Sequence, residues 1–172
     1  TNLLISGQIG SGSKLLMNRS LRTRVAEVAP FLSLDADPYL VVDGGNLLWI
    51  QDAYTTSGAF PYSQPVGGIN YIRNSVKITV NARTGEMYFY IVDEQDSIVR
   101  TWEKIFPELF TSMDRMPPSI RAHLRYPEDL FRLQSELYLR YHIDDPDVFF
   151  IKEDFWNVPS EKFRQQEQPV DP

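Results

Sequence analysis

The stretch that decides the fold is residues 76–92, which read VKITVNARTGEMYFYIV. Apolar and polar residues alternate over 76–80, as in a strand that is buried on one face. A turn-rich segment ends at Gly85, where we expect a left-handed backbone because glycine has no Cβ to clash. The aromatic and apolar run 87–92 reads as the returning strand. The stretch therefore predicts an antiparallel hairpin.

A second hairpin is predicted upstream of the first. Two apolar runs, 39–43 and 46–50, flank Gly44-Gly45, and two glycines suit a tight primed turn. Neither run alternates cleanly, so we expect both to be covered on two faces. Two successive hairpins favour a sheet that is mainly antiparallel.

Helical periodicity appears over 13–29, 97–106 and 127–141, and Pro117-Pro118 opens a further short turn. Asp96 is the expected N-cap of the second helix. The expected buried seam of the longest helix is Leu130, Leu133, Leu137 and Tyr141. The predicted fold class is α+β, with a mainly antiparallel sheet built from two hairpins and helices packed on it. The predicted core consists of Trp49, Val76, Ile78, Val80, Phe89, Ile91, Trp102, Leu130 and Leu137.

Three parts of the chain are distinguished by their patterning. Residues 1–30 form an N-terminal segment with an amphipathic helix, 31–159 form the α+β core domain, and 160–172 are polar and aperiodic. We expect that last segment to be a disordered tail.

Composition restricts the possible functions. The 172 residues carry a net charge of −6, which disfavours nucleic acid as a partner. The absence of cysteine excludes disulfides, thiolate metal sites and cysteine nucleophiles, and the sequence predicts no cofactor and no metal. No apolar run approaches the ~18 residues of a spanning helix, so we expect a soluble piece. The start lacks a methionine, and we interpret the chain as an internal fragment of a longer one.

The candidate site is a long segment, 54–71, rich in Tyr, Ser, Gly and Pro between two apolar strands. Loops of this length inside a compact domain are often functional. Hydroxyls and aromatic rings favour a glycan or a lipid headgroup as the ligand, and a carboxylate and a guanidinium are expected to meet at the loop base. The alternative is a structural Ω-loop whose ends are held by that ion pair. The candidate ligand-binding residues are Asp52, Tyr54, Thr55, Thr56, Ser57, Tyr62, Arg73 and Asn74.

An enzyme is the competing interpretation. Acidic residues at predicted strand ends, Asp43, Asp52, Asp93 and Glu94, could supply the carboxylate pair of a cell-envelope hydrolase acting on polysaccharide or a lipid-linked substrate. Turns and helix caps explain the same residues. No nucleophile motif is present, and catalytic residues stay unassigned.

Several segments together resemble a known family. They are DPY at 37–39, WIQDAYTTS at 49–57, PYS at 61–63, NYIRNSVK at 70–77, HLRYPEDLF at 123–131 and DFWNVP at 154–159. The chain resembles an uncharacterised protein family, a UPF group, of large bacterial membrane proteins with several N-terminal transmembrane helices and a long extracytoplasmic region. The resemblance implies a place on the extracytoplasmic face of the cell membrane, with the remainder of the same membrane-anchored chain as partner. It implies no reaction, and a non-catalytic binding or structural module is the favoured function.

Overall fold

The computed structural model describes residues 10–12, 18, 20–151, 160–163 and 166–169. The predicted α+β class is confirmed: six strands form one open, mainly antiparallel sheet with helices around it. In chain order the elements are α1 (Leu21–Val28), β1 (Ser33–Leu34), β2 (Tyr39–Asp43), β3 (Asn46–Ser57), β4 (Tyr71–Asn81), β5 (Met87–Ile91), α2 (Ser97–Ile105), β6 (Phe110–Ser112), a 3-10 turn (Met113–Arg115), α3 (Pro118–Arg121), α4 (Glu128–Tyr141), α5 (Pro146–Ile151), β7 (Ser160–Phe163) and β8 (Gln166–Pro169).

The two long strands β3 and β4 form the centre of the sheet. They pair antiparallel along most of their length, with a register shift between Ala53 and Thr55. β1 and β2 both pair with the other edge of β3, and β5 pairs with the other edge of β4. β6 adds to β5 in parallel. The end of β3 and the start of β4 therefore lie side by side, and the chain between them forms the loop 58–70.

Both predicted hairpins are present. Gly44 and Gly45 have φ values of 53° and 79°, as a primed two-residue turn requires. Gly85 has φ 75°, so its expected left-handed backbone is confirmed. Asp96 caps α2 by accepting hydrogen bonds from the amides of Ile98 and Val99. These features depend on local sequence, which is why the sequence predicts them well.

The sheet is covered on both faces. One apolar cluster joins α1 and α2 to the sheet through residues that include Val25, Val76 and Val99. A second cluster on the opposite face includes Ile50, Tyr90 and Ile120. The prediction that the polar residues of β4 face solvent is therefore wrong, since Lys77 and Thr79 are buried. The segment around α3 covers their face, and nothing in the local alternation of β4 reveals that cover.

The β2–β3 hairpin also differs from its prediction, but here the strand is less covered than expected. β2 alternates strictly, with Tyr39 and Val41 buried in the second cluster and Leu40 and Val42 exposed. The prediction of two covered faces is wrong for this strand. β2 lies at the edge of the sheet, and only one of its faces meets a packed layer.

The core prediction holds for the hairpin residues and fails for α4. Val76, Ile78, Val80, Phe89 and Ile91 are buried together, and Trp49 and Trp102 pack at the margin of that cluster. Leu130 is only half-buried, Leu137 is 40% exposed and Tyr141 is exposed. The predicted seam of α4 is therefore not core, because polar contacts at its first turn hold this helix to the sheet.

The ends of the chain fall partly outside the described residues, including 13–17 and 19 of the predicted first helix and residues 152–159, 164–165 and 170–172. Val25 and Ala29 of the N-terminal segment lie fully buried in the first cluster, so that segment shares the core of the domain. In the tail predicted to be disordered, β7 and β8 pair antiparallel. A two-stranded ribbon of this length is at the lower limit of stability in water.

Candidate functional site

The structure separates the candidate residues into strand, core and loop positions. Residues 54–57 belong to β3, so the loop proper is 58–70. Tyr54 and Thr55 are only 2% and 1% exposed, whereas Tyr62 is fully exposed at the loop tip with φ 58°. Thr56 and Ser57 are half-buried, with the Ser57 hydroxyl accepting from the Ala59 amide over 3.2 Å. The eight candidates therefore do not converge on one ligand.

The expected ion pair between Asp52 and Arg73 does not form. Strand register places Asp52 opposite Lys77, and these two side chains form a buried ion pair. Arg73 lies opposite Thr55 and pairs instead with Asp93 on the surface, Nη1 to Oδ2 3.1 Å. The register of β4 against β3 decides the partner of each charge, and it is a non-local property that the sequence does not display.

The buried pair has further polar partners. Asn74 donates to Asp52 Oδ1 over 3.0 Å, and Lys77 Nζ donates to the Arg125 carbonyl over 2.8 Å. Burial raises the pKa of Asp52 above its usual range, while the charge and hydrogen bonds of Lys77 and Asn74 oppose the rise. Burial also raises the pKa of Tyr39, whose hydroxyl accepts from the Arg125 amide, to about 12. Every group of this cluster is engaged in holding neighbouring segments together.

A second buried carboxylate, Asp96, accepts hydrogen bonds from several hydroxyl groups. Thr55, Ser75 (2.6 Å) and Tyr71 (2.7 Å) all donate to it, in addition to the α2 amides. Burial alone would raise the pKa of Asp96, but the hydrogen bonds from Ser75, Thr55, Tyr71 and Ile98 outweigh it and hold the pKa below its usual value. Thr55 therefore ties β3 and β4 to the start of α2, which is a structural role.

A third buried carboxylate, Asp35, holds the first turn of α4. Asp35 accepts from the Tyr54 hydroxyl and from the Asp129 amide (3.0 Å), and Asp129 accepts in return from the Ala36 amide (2.8 Å). The Tyr54 oxygen also accepts from the Leu130 amide over 3.3 Å. We call Asp35, Tyr54 and Asp129 the clasp. Pro127, the N-cap of α4, makes no side-chain cap, so the clasp serves the helix amides in its place.

Burial, followed by the hydrogen bond and charge of Asp35, raises the pKa of the Tyr54 hydroxyl far above its usual range. Tyr54 is therefore a neutral donor to Asp35 at physiological pH. The clasp fixes where α4 begins and leaves the rest of the helix to extend across the loop.

The space between the loop 58–70 and α4 is a cleft of about 460 Å³. The loop forms one wall of the cleft and α4 forms the other. The start of β4 forms its floor. The residues that line it are Ser63, Gln64, Pro65, Val66, Ile69, Asn70, Tyr71, Ile72, Leu133, Leu137 and Tyr141. None of these residues carries a charge. This volume lies within the usual range for small-molecule sites.

Asn70 organises the loop wall from within. Its amide nitrogen donates to the carbonyls of Phe60 (2.8 Å) and Ser63 (3.1 Å), and its amide oxygen accepts from the Phe60 amide (2.9 Å). The Ser63 hydroxyl donates to the Asn70 carbonyl over 2.8 Å. The Phe60 ring stacks on Tyr71 at 5.0 Å between centroids. The loop is therefore an Ω-type wall, but Asn70 holds it in place of the Asp52–Arg73 pair that the structural alternative expected. The clasp and this wall together shape the cleft.

The cleft borders the loop that the sequence singles out, but none of the eight candidate residues lines it. Leu133, Leu137 and Tyr141 were predicted as the buried seam of the longest helix, and Ile69 and the other apolar loop residues were not among the candidates. One signal was available, because the thirteen residues 58–70 contain no charged side chain although the chain as a whole carries −6. An uncharged exposed loop beside an apolar helix face is typical of a surface that something covers.

The cleft does not resemble a hydrolytic centre. No carboxylate is among its described lining residues, and Asp52 and Asp96 lie inside the fold with their hydrogen-bond partners. The described residues contain no group of three or more His, Cys, Asp or Glu side chains placed to hold a metal ion. The described lining offers apolar side chains and neutral polar groups.

Comparison with known proteins identifies the class of the chain. The sequence profile of an uncharacterised protein family, UPF0182, matches residues 1–172. The chain belongs to this family.

Its relatives are much longer than this chain. UPF0182 proteins of Pelotomaculum thermopropionicum and Alkaliphilus metalliredigens are 48% and 47% identical to it over 171 residues, which cover 99% and 98% of this chain and 19% and 18% of theirs. A relative from Clostridium acetobutylicum is 51% identical over 158 residues, 92% of this chain and 17% of its own. The chain thus spans about a fifth of the length of these relatives, and no solved structure matches it. Among the described helices, none has the length and apolar character needed to cross a membrane.

Proposed function

We propose that the chain is a non-catalytic binding module of a larger membrane protein, placed on its extracytoplasmic face, with the cleft as its ligand site. The observation that carries this proposal is the uncharged cleft of about 460 Å³ between an ordered loop and an amphipathic helix. Its walls suit a neutral ligand, and the absence of a carboxylate among the described lining residues favours binding over hydrolysis. The extracytoplasmic location is supported by the sequence resemblance described above.

The test is chemical-shift mapping on the isotope-labelled chain with a panel of neutral glycans and neutral amphiphiles. We expect shifts at Ile69, Ile72 and Leu133, and we expect Leu133→Asp to abolish them because a charge then lies in an uncharged cleft. Tyr62→Ala is the matched control, since Tyr62 belongs to the same loop but does not line the cleft. Shifts confined to Tyr62 or Arg73, or no shifts with any probe, would contradict the proposal.

A second role, packing against the remainder of its own longer chain, is favoured by a different surface. Phe150 and Ile151 at the end of α5 are 84% and 61% exposed. Adjacent exposed apolar side chains of this size are typical of a contact surface.

Cysteine labelling of the longer protein, in a cysteine-free background, tests this packing. We expect Phe150→Cys to react slowly with a maleimide in the full-length chain, because the rest of that chain covers position 150. In the 172-residue piece the same cysteine should react quickly. Glu136→Cys, on an exposed position of α4, should react quickly in both. Equal reactivity of Phe150→Cys in the two proteins would remove this role.

A further inference from the structure

The cleft presents hydrocarbon to whatever enters it. Leu133 and Leu137 of α4 face it from one side, and Pro65, Val66 and Ile69 of the loop from the other. Ile72 lies at its floor. More than half of the lining residues are therefore aliphatic or proline, arranged on opposite walls.

The polar atoms of the cleft are mostly already engaged. The Ser63 hydroxyl and the Asn70 amide are used within the loop, as described above. The Tyr71 hydroxyl donates to Asp96. A glycan needs several donors and acceptors to replace the water that it loses. The Ser63 and Tyr71 hydroxyls have already donated their hydrogens, so their oxygens can only accept from a ligand.

Two further polar side chains keep both their donor and their acceptor capacity. Within the described residues, the Gln64 amide and the Tyr141 hydroxyl line the cleft and make no hydrogen bond. They suffice for one small polar group, such as a hydroxyl, at the end of a longer apolar molecule. The absence of charge among the described lining residues disfavours a carboxylate or phosphate inside the cleft.

We propose that the cleft binds the alkyl chain of a neutral amphiphile. This inference rests on the proposed function and specifies its ligand class. The chain lies between the α4 wall and the loop wall, and the polar end stays near Gln64 and Tyr141. The alkyl chain can come from a free amphiphile or from a membrane lipid, since the apolar walls of the cleft contact only the hydrocarbon.

The experiment is a calorimetric and NMR titration of the 172-residue chain with hexanol, octanol and decanol, and with chitobiose as a neutral glycan. Each additional CH₂ buried in the cleft should tighten binding about fourfold, which corresponds to about 0.8 kcal/mol per CH₂. Leu137→Asp should weaken decanol binding at least tenfold. Tyr138→Asp, on the next residue of the same helix but outside the cleft lining, should leave it unchanged.

Leu137 is 40% exposed, so its substitution should preserve the fold, and an unchanged amide spectrum outside α4 checks this. Vesicles of phosphatidylcholine distinguish the two sources. If the chain co-sediments with them and Leu137→Asp abolishes this, the source is a membrane lipid. If the chain binds alkanols but does not co-sediment with the vesicles, the source is a free amphiphile.

If chitobiose shifts the cleft resonances and the alkanols do not, the alkyl inference is overturned and the proposed binding module stands. If neither probe shifts them, both fail. Two other results would also overturn the inference: an alkanol affinity that does not change from hexanol to decanol, or decanol binding that survives Leu137→Asp. In either case the alkyl chain would lie outside the cleft.

Discussion

At the scale of single residues, the three buried carboxylates differ in how their charge is compensated. Asp52 has a cationic partner, and only 3% of its side chain and 5% of that of Lys77 are exposed. Asp96 and Asp35 are stabilised by hydroxyl and amide donors instead. A buried charge that loses its partner is strongly destabilising, so each of these side chains contributes to the stability of the fold.

Lys77→Met tests the buried pair. It leaves Asp52 buried without a cation, and we expect the free energy of unfolding to fall by about 3–5 kcal/mol in urea denaturation. Arg73→Met breaks the exposed pair with Asp93 and should cost no more than about 1 kcal/mol. Similar losses for the two variants would show that Lys77 is not the cation that Asp52 depends on.

The pH dependence of stability tests Asp96. Its pKa is lowered in the folded state, so its charge stabilises the fold above the usual value of 3.8, and that contribution is lost as pH falls through the folded pKa. Asp96→Asn should therefore be less stable than the native chain at pH 7, and the difference should shrink as the pH is lowered into the acid range. Thermal unfolding at a series of pH values measures it. A difference that stays constant with pH would mean that folding does not lower the pKa of Asp96.

At the scale of elements, α4 is the helix whose attachment determines the cleft. Asp35 binds its first turn from a position 94 residues earlier in the chain, and Leu137 and Tyr141 remain exposed farther along. The helix is therefore fixed at one end by polar contacts, and its position over the loop depends on the clasp.

Tyr54→Phe removes one hydroxyl from the clasp. We expect hydrogen exchange of the Asp129 and Leu130 amides to accelerate, with a loss of about 1–3 kcal/mol in their protection, because Asp35 loses its donor and Leu130 its acceptor. Tyr126→Phe removes a hydroxyl that donates to Gln134 on the exposed side of α4 and should leave these amides protected. Unchanged exchange in Tyr54→Phe would show that the Tyr54 hydroxyl does not help to hold the first turn of α4.

Elements that depend on contacts between near neighbours in the sequence can be predicted from it, and those that depend on distant contacts cannot. The Gly44-Gly45 and Gly85 turns and the Asp96 cap depend on a few neighbouring residues, and the sequence predicts them correctly. The pairing of Asp52 with Lys77 depends on strand register. The burial of Lys77 depends on the α3 segment, some forty residues later in the chain. Helical periodicity marks the apolar face of α4 but does not show whether the protein or a ligand covers it.

At the scale of the whole molecule, an open sheet with a packed cluster on each face leaves the cleft beside the β3–β4 connection. That connection was selected from the sequence as the place of function, and the structure adds the helix that faces it. The family relationship places this domain in proteins about five times longer. We propose that the cleft binds a neutral ligand through its apolar walls.

The measurement that tests this claim most directly is a set of intermolecular NOEs between decanol and the methyl groups of the labelled native chain. We expect NOEs from the decanol methylenes to Ile69 and Ile72 on the loop side and to Leu133 on α4, because all three line the cleft. NOEs only to the exposed methyls of Val42 or Ile151, or none to any of the cleft residues, would contradict the account.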